Sequence, residues 1–580
     1  MNTVRLLLPY VKKYRNKYIA GVFFLVFTNA FRMANPKVVQ HAIDYLKQTF
    51  VLSELAMFAG LIILFAALEG VFSFLMRRSI IVASREIEND LRNDFFAKLL
   101  TLPQSYYQNH PTGDIMSRAT NDLSAVRMIF GPGIAYSTNT VMAFLFVIPM
   151  MLHISPTLTM FALIPFPIVA ILVNRFGKAI YKRFEKVQEQ LGDLTTVAQE
   201  NLSGNTVIKW FTQEKHEIEK FRVQNETYMH RSIDHVKVQA AFHPSLALTA
   251  GLALAMIILF GGRLVINDQI TIGEFTAFML YASILIWPFI ALGWVIGVFQ
   301  QGAASMKRMQ KVFDAQSDII EEENALKPDV LHGEIEFSKL AFEYEENRPV
   351  LSDITLHVPA QQTLGVIGPT GSGKTTLIKL ISHLYPLPDG VLKIDGKDIN
   401  DYALSALREF IGYVPQENFL FSASIRENIA YGRKDATQED IEWAAKMADI
   451  HEQIVEFPDG YESLLGEKGL NLSGGQKQRI SIARAILCKP RILILDDAFS
   501  ALDTHTEDRI LGNLETFFPD RTVILVSHRV STLQNCDQII VLEDGRITEK
   551  GTHEELVRNR KLYTWIYEKQ LLEEELEQVD

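Results

Sequence analysis

Residues 1–300 contain six apolar stretches, near 17–45, 55–80, 131–153, 157–175, 244–266 and 274–300. Each approaches or exceeds the ~20 mostly apolar residues that a membrane-spanning helix needs. In hydrocarbon every backbone N–H and C=O must be satisfied within the chain, so stretches of this kind fold as helices. No other feature narrows the possible folds as far. Lys12, Lys13, Arg15 and Lys17 precede the first stretch, Arg77, Arg78, Arg85 and Arg92 follow the second, and Arg175, Lys178, Lys182 and Arg183 follow the fourth. The links after the first, third and fifth are short and poor in Lys and Arg. The positive-inside rule therefore places both termini in the cytoplasm of a multi-pass protein of the cell membrane. The first apolar run, Tyr18–Phe31, lacks a small-residue cleavage site and runs into Arg32, so no cleavable signal is expected.

The two inner connections, about 81–130 and 176–243, are long, charged and helical in period. Structureless loops of that length are unusual in compact domains. They are expected to extend the membrane helices into the cytoplasm and to reverse at short turns. Pro111–Asp122 and Asn201–Phe211 are the expected turning points, with Gly113 and Gly204 allowing the reversal.

The overall 48% of hydrophobic residues hides a shift in composition, because the chain after about 325 reads as a soluble α/β protein. The division expected is a membrane domain over 1–315, a polar linker over 316–332 and a cassette over 333–580. A net charge of -11 argues against a nucleic-acid partner, and the acidic run Glu573–Asp580 reads as a solvated helix end. Two cysteines, Cys488 and Cys536, are too few for a disulfide framework and read as free thiols.

Gly368–Thr375 reads GPTGSGKT, follows the apolar run TLGVI and precedes the helical pattern TLIKLISHL. That strand–loop–helix setting makes it a phosphate loop. Gly368, Gly371 and Gly373, with Pro369, Thr370 and Ser372 between them, let backbone N–H groups face phosphate oxygens. Lys374 brings positive charge, the Thr375 hydroxyl can ligate Mg²⁺, and Thr376 continues the site. The run RILILD then supplies a second strand whose terminal Asp496 can hold Mg²⁺ directly or through water. Leu472–Gln476 reads LSGGQ, where Ser473 and the backbone of Gly474 and Gly475 at a helix start can hold a further anion.

LSGGQ together with the phosphate loop resembles the signature of ATP-binding-cassette (ABC) ATPases. The whole chain resembles one half of an ABC exporter: a six-helix transmembrane domain followed by an α/β phosphate-loop ATPase cassette. The resemblance implies ATP and Mg²⁺ as cofactors and a second half-transporter as partner, with the signature of each cassette facing the other's nucleotide. It implies that Tyr344 stacks on adenine, that Gln416 reaches Mg²⁺ and the attacking water, and that His528 binds the γ-phosphate. It also implies that Ser500–Asp503, through Asp503, contacts the opposite cassette, and that the two turning points act as coupling helices. The stretch GEKGLNLSGGQ resembles the exporter-specific segment before the signature; its upstream part reads YESLLGEKG, with Leu464 in place of a usual Glu.

In complete cassettes of this kind Asp496 would be followed by Glu, which positions and deprotonates water. Here the residue is Asp497. Its carboxylate falls short by up to ~1.5 Å, one C–C bond. A displacement of ~1 Å can cost ~10²-fold in rate, about 2.7 kcal/mol of barrier. This pattern resembles the degenerate-site subunit of heterodimeric exporters, and the chain is similar to MdlA-like multidrug half-transporters. The implied cargo is an amphiphilic drug or lipid. A homodimeric lipid flippase and an ATP-gated channel or regulatory subunit remain as alternatives. In the membrane half, Arg32 and Glu69 either pair or line a cargo cavity, and Trp287 and Trp294, seven apart on one helix face, can stack on flat cargo or simply pack.

Overall fold

The computed structural model describes residues 2–47, 51–319, 321–322, 324–345, 348–466, 469, 472–517 and 519–577. They form two compact units. The first comprises Met1–Thr101 and Pro111–Ala315; the second comprises Leu102–His110 and Gln316–Asp580.

The first unit is helical. Five helices among the described residues are long and apolar enough to cross a membrane: Leu52–Leu100, Thr112–Ile154, Pro156–Ser203, Glu214–Ile266 and Ile272–Asp314. The helix Arg15–Leu46 spans 32 residues, but Asn29, Arg32 and Asn35 dilute its apolar character. Two of those polar groups find partners within the unit. Asn29 donates to the Asn139 side chain at 3.2 Å, and the Arg32 guanidinium pairs with Glu69 at 2.7 Å. Helix length explains the charged connections: 49 residues in Leu52–Leu100 span ~73 Å, far beyond a ~30 Å hydrocarbon layer. The excess is the charged continuation anticipated from its period. It is held by polar clamps, with Lys13 on Asp90 at 2.6 Å, Lys17 on Glu86 at 2.5 Å, and Glu88 between Arg85 and Arg92 at 2.9 Å each. Arg308 on the last helix closes on Asp122.

The first turning point lies upstream of its expected place. Pro111–Asp122 is not a reversal: Gly113 sits inside the helix Thr112–Ser117, and the chain turns through Leu102–His110 around the short helix Gln104–Asn109. Prolines set this boundary. Pro103 and Pro111 stand immediately before the two helices, and His110, preceding Pro111, is forced into an extended backbone. The second turn does fall within Asn201–Phe211, at the short helix Asn205–Trp210, but Gly204 keeps a negative φ of -91° and needs no special freedom there.

Among the described residues, the second unit contains ten strands in two sheets. β1 (Ile335–Glu343), β2 (Pro349–Val358), β4 (Leu392–Ile394) and β5 (Lys397–Asp398) form an antiparallel sheet in the order β2-β1-β4-β5. β3 (Thr363–Ile367), β6 (Ile411–Val414), β7 (Ile492–Asp496), β8 (Thr522–Val526), β9 (Gln538–Glu543) and β10 (Arg546–Gly551) form the other, ordered β10-β9-β3-β8-β7-β6. Its five strands from β9 to β6 are parallel and buried on both faces, which accounts for runs such as ILIL and VILV without polar alternation. The helix Lys374–Ile381 packs Leu377, Ile378, Leu380 and Ile381 into the core between the sheets. The polar segment expected as a linker is partly anchored: Leu326 exchanges backbone hydrogen bonds with Asp401 and Ala403 at 2.7 and 2.9 Å, and Leu331 is buried in the same core. Cys488 and Cys536 are free thiols, and burial pushes Cys536 up to about 12, so it has little thiolate character.

Candidate functional site

In an open parallel sheet, ligands bind beyond the carboxyl ends of the strands. Strands β3, β8 and β7 are neighbours, and each leads directly into residues that carry chemistry. β3 runs into Gly368, β8 into Ser527 and His528, and β7 ends at Asp496 and Asp497; β6, at the sheet edge, leads to Gln416. Together they line one cleft of about 720 Å³, with Thr370–Thr376, Gln416, Asp496, Asp497 and His528 on its walls.

The phosphate loop is built by its glycines. Gly371 and Gly373 have φ of +84° and +99°, and Gly373 caps the helix Lys374–Ile381. A Cβ on Gly368 would collide with the Leu542 carbonyl, and one on Gly373 would stand 2.7 Å from Leu351. The loop therefore lies against the sheet as only glycine allows. Lys374 is buried, and its ammonium donates to the carbonyls of Gly368 and Pro369 at 2.8 and 2.9 Å. Burial lowers its pKa, against the pull of Asp497 and Asp496.

The Thr375 hydroxyl donates to Asp496 at 3.1 Å, and the Tyr413 hydroxyl donates to the other Asp496 oxygen at 3.2 Å. Burial raises Asp496 while these two bonds oppose it. Thr375 and Asp496 thus place two hard oxygen donors side by side below the loop. That donor set suits Mg²⁺, which completes its shell with phosphate oxygens and water. Gln416 is exposed on the same cleft.

Asp497 is half-buried, with its backbone in the left-handed region at φ +50°, where Asp and Asn are enriched. Its N–H donates to the Val526 carbonyl at 2.9 Å, and its carbonyl accepts from Ser500 Oγ at 3.0 Å. Its carboxylate makes no hydrogen bond or ion pair among the described residues, and it faces the cleft that holds Lys374. His528 is exposed; its carbonyl accepts from Gln570 at 2.6 Å, which fixes the backbone after β8. Tyr344 is 40% exposed, donates to Thr376 at 3.1 Å and stands edge-on to Phe342 and Tyr385. An aromatic face supported from behind in this way can stack on a base.

The signature is elsewhere: none of Leu472–Gln476 lines this cleft. Ser473 caps the helix Gly474–Leu487, its Oγ accepting from Gln476 N at 3.2 Å while Gln476 Oε1 accepts from Ser473 N at 3.0 Å. Gly475 packs so tightly that a Cβ would lie 2.9 Å from the Ala501 carbonyl. Gln478 ties the helix to Ser500–Asp503, donating to Ser500 at 2.9 Å and accepting from Ala501 N at 3.0 Å. Asp503 caps the next helix through Thr506 N at 2.9 Å, and that bond holds its carboxyl below the usual range. Leu472 is buried beside a separate groove that Leu464, 75% exposed, also lines. Glu467, Lys468, Leu470 and Asn471 of the segment before the signature lie outside the described residues.

Sequence reading missed Tyr413, Gln478 and Tyr385. Tyr413 carried a signal: it is in register with Ile494, two residues before Asp496 on the neighbouring strand. Gln478 and Tyr385 act through side-chain contacts between distant segments, including a bond from Gln108 to the Tyr385 hydroxyl at 2.8 Å. In the membrane unit, Arg32 and Glu69 pair with each other, Trp287 is 60% exposed, and Trp294 stands edge-on to Tyr136 at 5.2 Å.

Residues 18–289 match the ABC transporter transmembrane region family, and residues 351–500 match the ABC transporter family. The chain is 34% identical over 571 residues to the multidrug resistance-like ATP-binding protein MdlA of Escherichia coli (strain K12), covering 98% of this chain and 96% of that one. It is 34% identical over 515 residues to the ATP-dependent lipid A-core flippase of Syntrophus aciditrophicus (strain SB), covering 89% and 86%. A solved structure of a bacterial Atm1-family ABC exporter with ATP bound superposes with a TM-score of 0.83 at 27% identity, over 96% of this chain and 99% of that one.

Proposed function

This chain belongs to the ABC exporters, and from that premise we propose that it is the ATP-holding half of a heterodimer that moves amphiphilic drugs or lipids out of the cytoplasm. It is a multi-pass membrane protein with a cytoplasmic ATPase cassette. The observation that carries the finer reading is the contrast at the end of β7. Asp496 is fully engaged with Thr375 and Tyr413, whereas Asp497 offers a short, unbonded carboxylate where a longer acid would direct water.

In this reading the backbone of Gly371–Thr376 and the Lys374 ammonium hold the phosphates, and Tyr344 holds the adenine. Thr375, Asp496 and Gln416 are the residues that would hold Mg²⁺, which when bound neutralises charge on the phosphate oxygens. Asp497 orients water poorly, so the pocket retains ATP longer than it turns it over. The Ser473 hydroxyl and the N–H groups of Gly474 and Gly475 complete the active site of the partner, and Asp503 contacts the partner cassette. The sequences of MdlA and of the lipid A-core flippase, each 34% identical, support drug-like or lipid cargo.

A second reading is a homodimeric lipid flippase with Asp497 at both sites; the similarity to a flippase supports its lipid cargo. The mass of the complex extracted from its native membrane separates the two. A complex of two different half-transporters is expected; two copies of this chain would overturn the heterodimer.

A further inference from the structure

We propose that the groove between the helices Arg15–Leu46, Leu52–Leu100 and Ile134–Ile154 binds one anionic phospholipid of the outer leaflet as a resident ligand. The groove is open and offers about 970 Å³ within the membrane unit, counting the solvent space at its mouth. Met33, Phe58, Leu61, Phe65, Phe146 and Met150 make it apolar, a lining suited to an acyl chain and hostile to water.

Two polar side chains interrupt that lining, and both are basic in kind. Lys37 is half-buried, and among the described residues its ammonium donates only to the neutral Gln40 side chain, at 2.9 Å. His41 comes one turn later, its Nδ1 paired with the Lys37 carbonyl at 2.8 Å, so the ring is held in place. No carboxylate forms an ion pair with Lys37 among the described residues. Two other cations on this helix are paired, Lys17 with Glu86 and Arg32 with Glu69, and Arg15 at its start is exposed to solvent. The acid on the same helix beyond His41 is committed elsewhere, since Asp44 accepts from Thr271 Oγ1 at 2.8 Å and from Gly273 N at 2.9 Å.

An unpaired ammonium in apolar surroundings is costly, and a counter-ion brought by a ligand relieves that cost. The ligand must also fill an aromatic trough. A phosphodiester on acyl chains satisfies both demands. A zwitterionic lipid carries its own ammonium and neutralises Lys37 less well. Lys37 stands nine residues before the helix end at Leu46, ~14 Å along the axis. The positive-inside rule puts that end outside, so the lysine can meet headgroups of the outer leaflet.

The test uses the full-length protein in the assembly purified from cells, exchanged into nanodiscs of equal phosphatidylglycerol and phosphatidylethanolamine and then probed by native mass spectrometry. Phosphatidylglycerol is expected to remain bound preferentially. Lys37→Gln should cut its retention about five- to tenfold and leave phosphatidylethanolamine unchanged, and Lys37→Arg should restore it. Added phosphatidylglycerol should raise the melting temperature of the delipidated wild type but not of Lys37→Gln. Equal retention of the two lipids by wild type, or undiminished phosphatidylglycerol in Lys37→Gln, would mean that the lysine only reaches for the interface and would overturn the proposal. Because neither readout involves ATP, the result stands apart from the fate of the Asp497 assignment.

Discussion

At the phosphate-loop face, Lys374, Thr375 and Asp496 are held in mutual reach, and then β7 ends on Asp497, whose carboxylate is bonded to nothing among the described residues. At the signature face, Ser473 and Gln476 close a reciprocal cap, Gly475 is wedged against Ala501, and Gln478 pins the loop just after Asp497. On the proposed reading, one face has the groups that bind the nucleotide and departs only where water must be aimed. The other, Leu472–Gln476, lines no part of the cleft of its own chain. The proposed division of labour would account for the difference: on that reading the first face holds a nucleotide, and the second serves a nucleotide bound to another chain.

The largest effect that could break this comparison is loss of binding at the first face. Lys374→Ala removes a buried ammonium and its charge-assisted bonds, each worth ~1.5–3 kcal/mol. ATP affinity at this site should fall at least ~10²-fold in titration with a fluorescent nucleotide; a smaller change would mean that the loop does not hold phosphate. Ser473→Ala separates the faces. In the assembled exporter it should lower steady-state turnover on the order of 10²-fold, the scale of losing one transition-state donor. ATP affinity at the chain's own loop should stay unchanged. Equal damage to both would erase the distinction.

Smaller effects sharpen it. Tyr344→Ala should weaken ATP ~10-fold or more, since base stacking is worth ~1–3 kcal/mol, while Tyr344→Trp should stay near wild type. The smallest concerns pH. His383, just beyond the phosphate-loop helix, is buried, and burial with the nearby Arg408 lowers its pKa from 6.5 to about 4. The unfolded chain takes up a proton near pH 6.5 and the folded one only near 4. Stability conferred by the neutral ring is therefore full above 6.5 and lost as pH falls toward 4, by up to ~1.4 kcal/mol per unit. Melting temperatures from pH 7 to 5 should decline in wild type and decline less in His383→Asn. Identical slopes would remove His383 from the account.

Much of the cassette was legible because its chemistry sits where strands end. An apolar run followed by GPTGSGKT, or ended by Asp496, fixes both element and position. Side chains that support those residues from distant segments were not legible, as Tyr413 below Asp496 and Gln478 across to Ser500 show. The first turn was misplaced because Gly113 was read as the reversal; Pro103 and Pro111, which bracket the actual turn, carried the better signal. In the membrane unit, the sequence left Arg32 and Glu69 either as a pair or as lining of a cargo cavity, and in the fold they pair with each other. Pairing across helices depends on rotation about the helix axis, which an unbroken apolar pattern does not specify.

The most direct measurement is ATP hydrolysis by the purified chain alone and by the chain with a second half-transporter that carries Glu at the position of Asp497. The account predicts little turnover alone, robust turnover together, an assembled rate changed less than about twofold by Asp497→Ala, and a gain approaching ~10²-fold at this chain's own site from Asp497→Glu. Brisk hydrolysis by the chain alone that Asp497→Ala abolishes would contradict it.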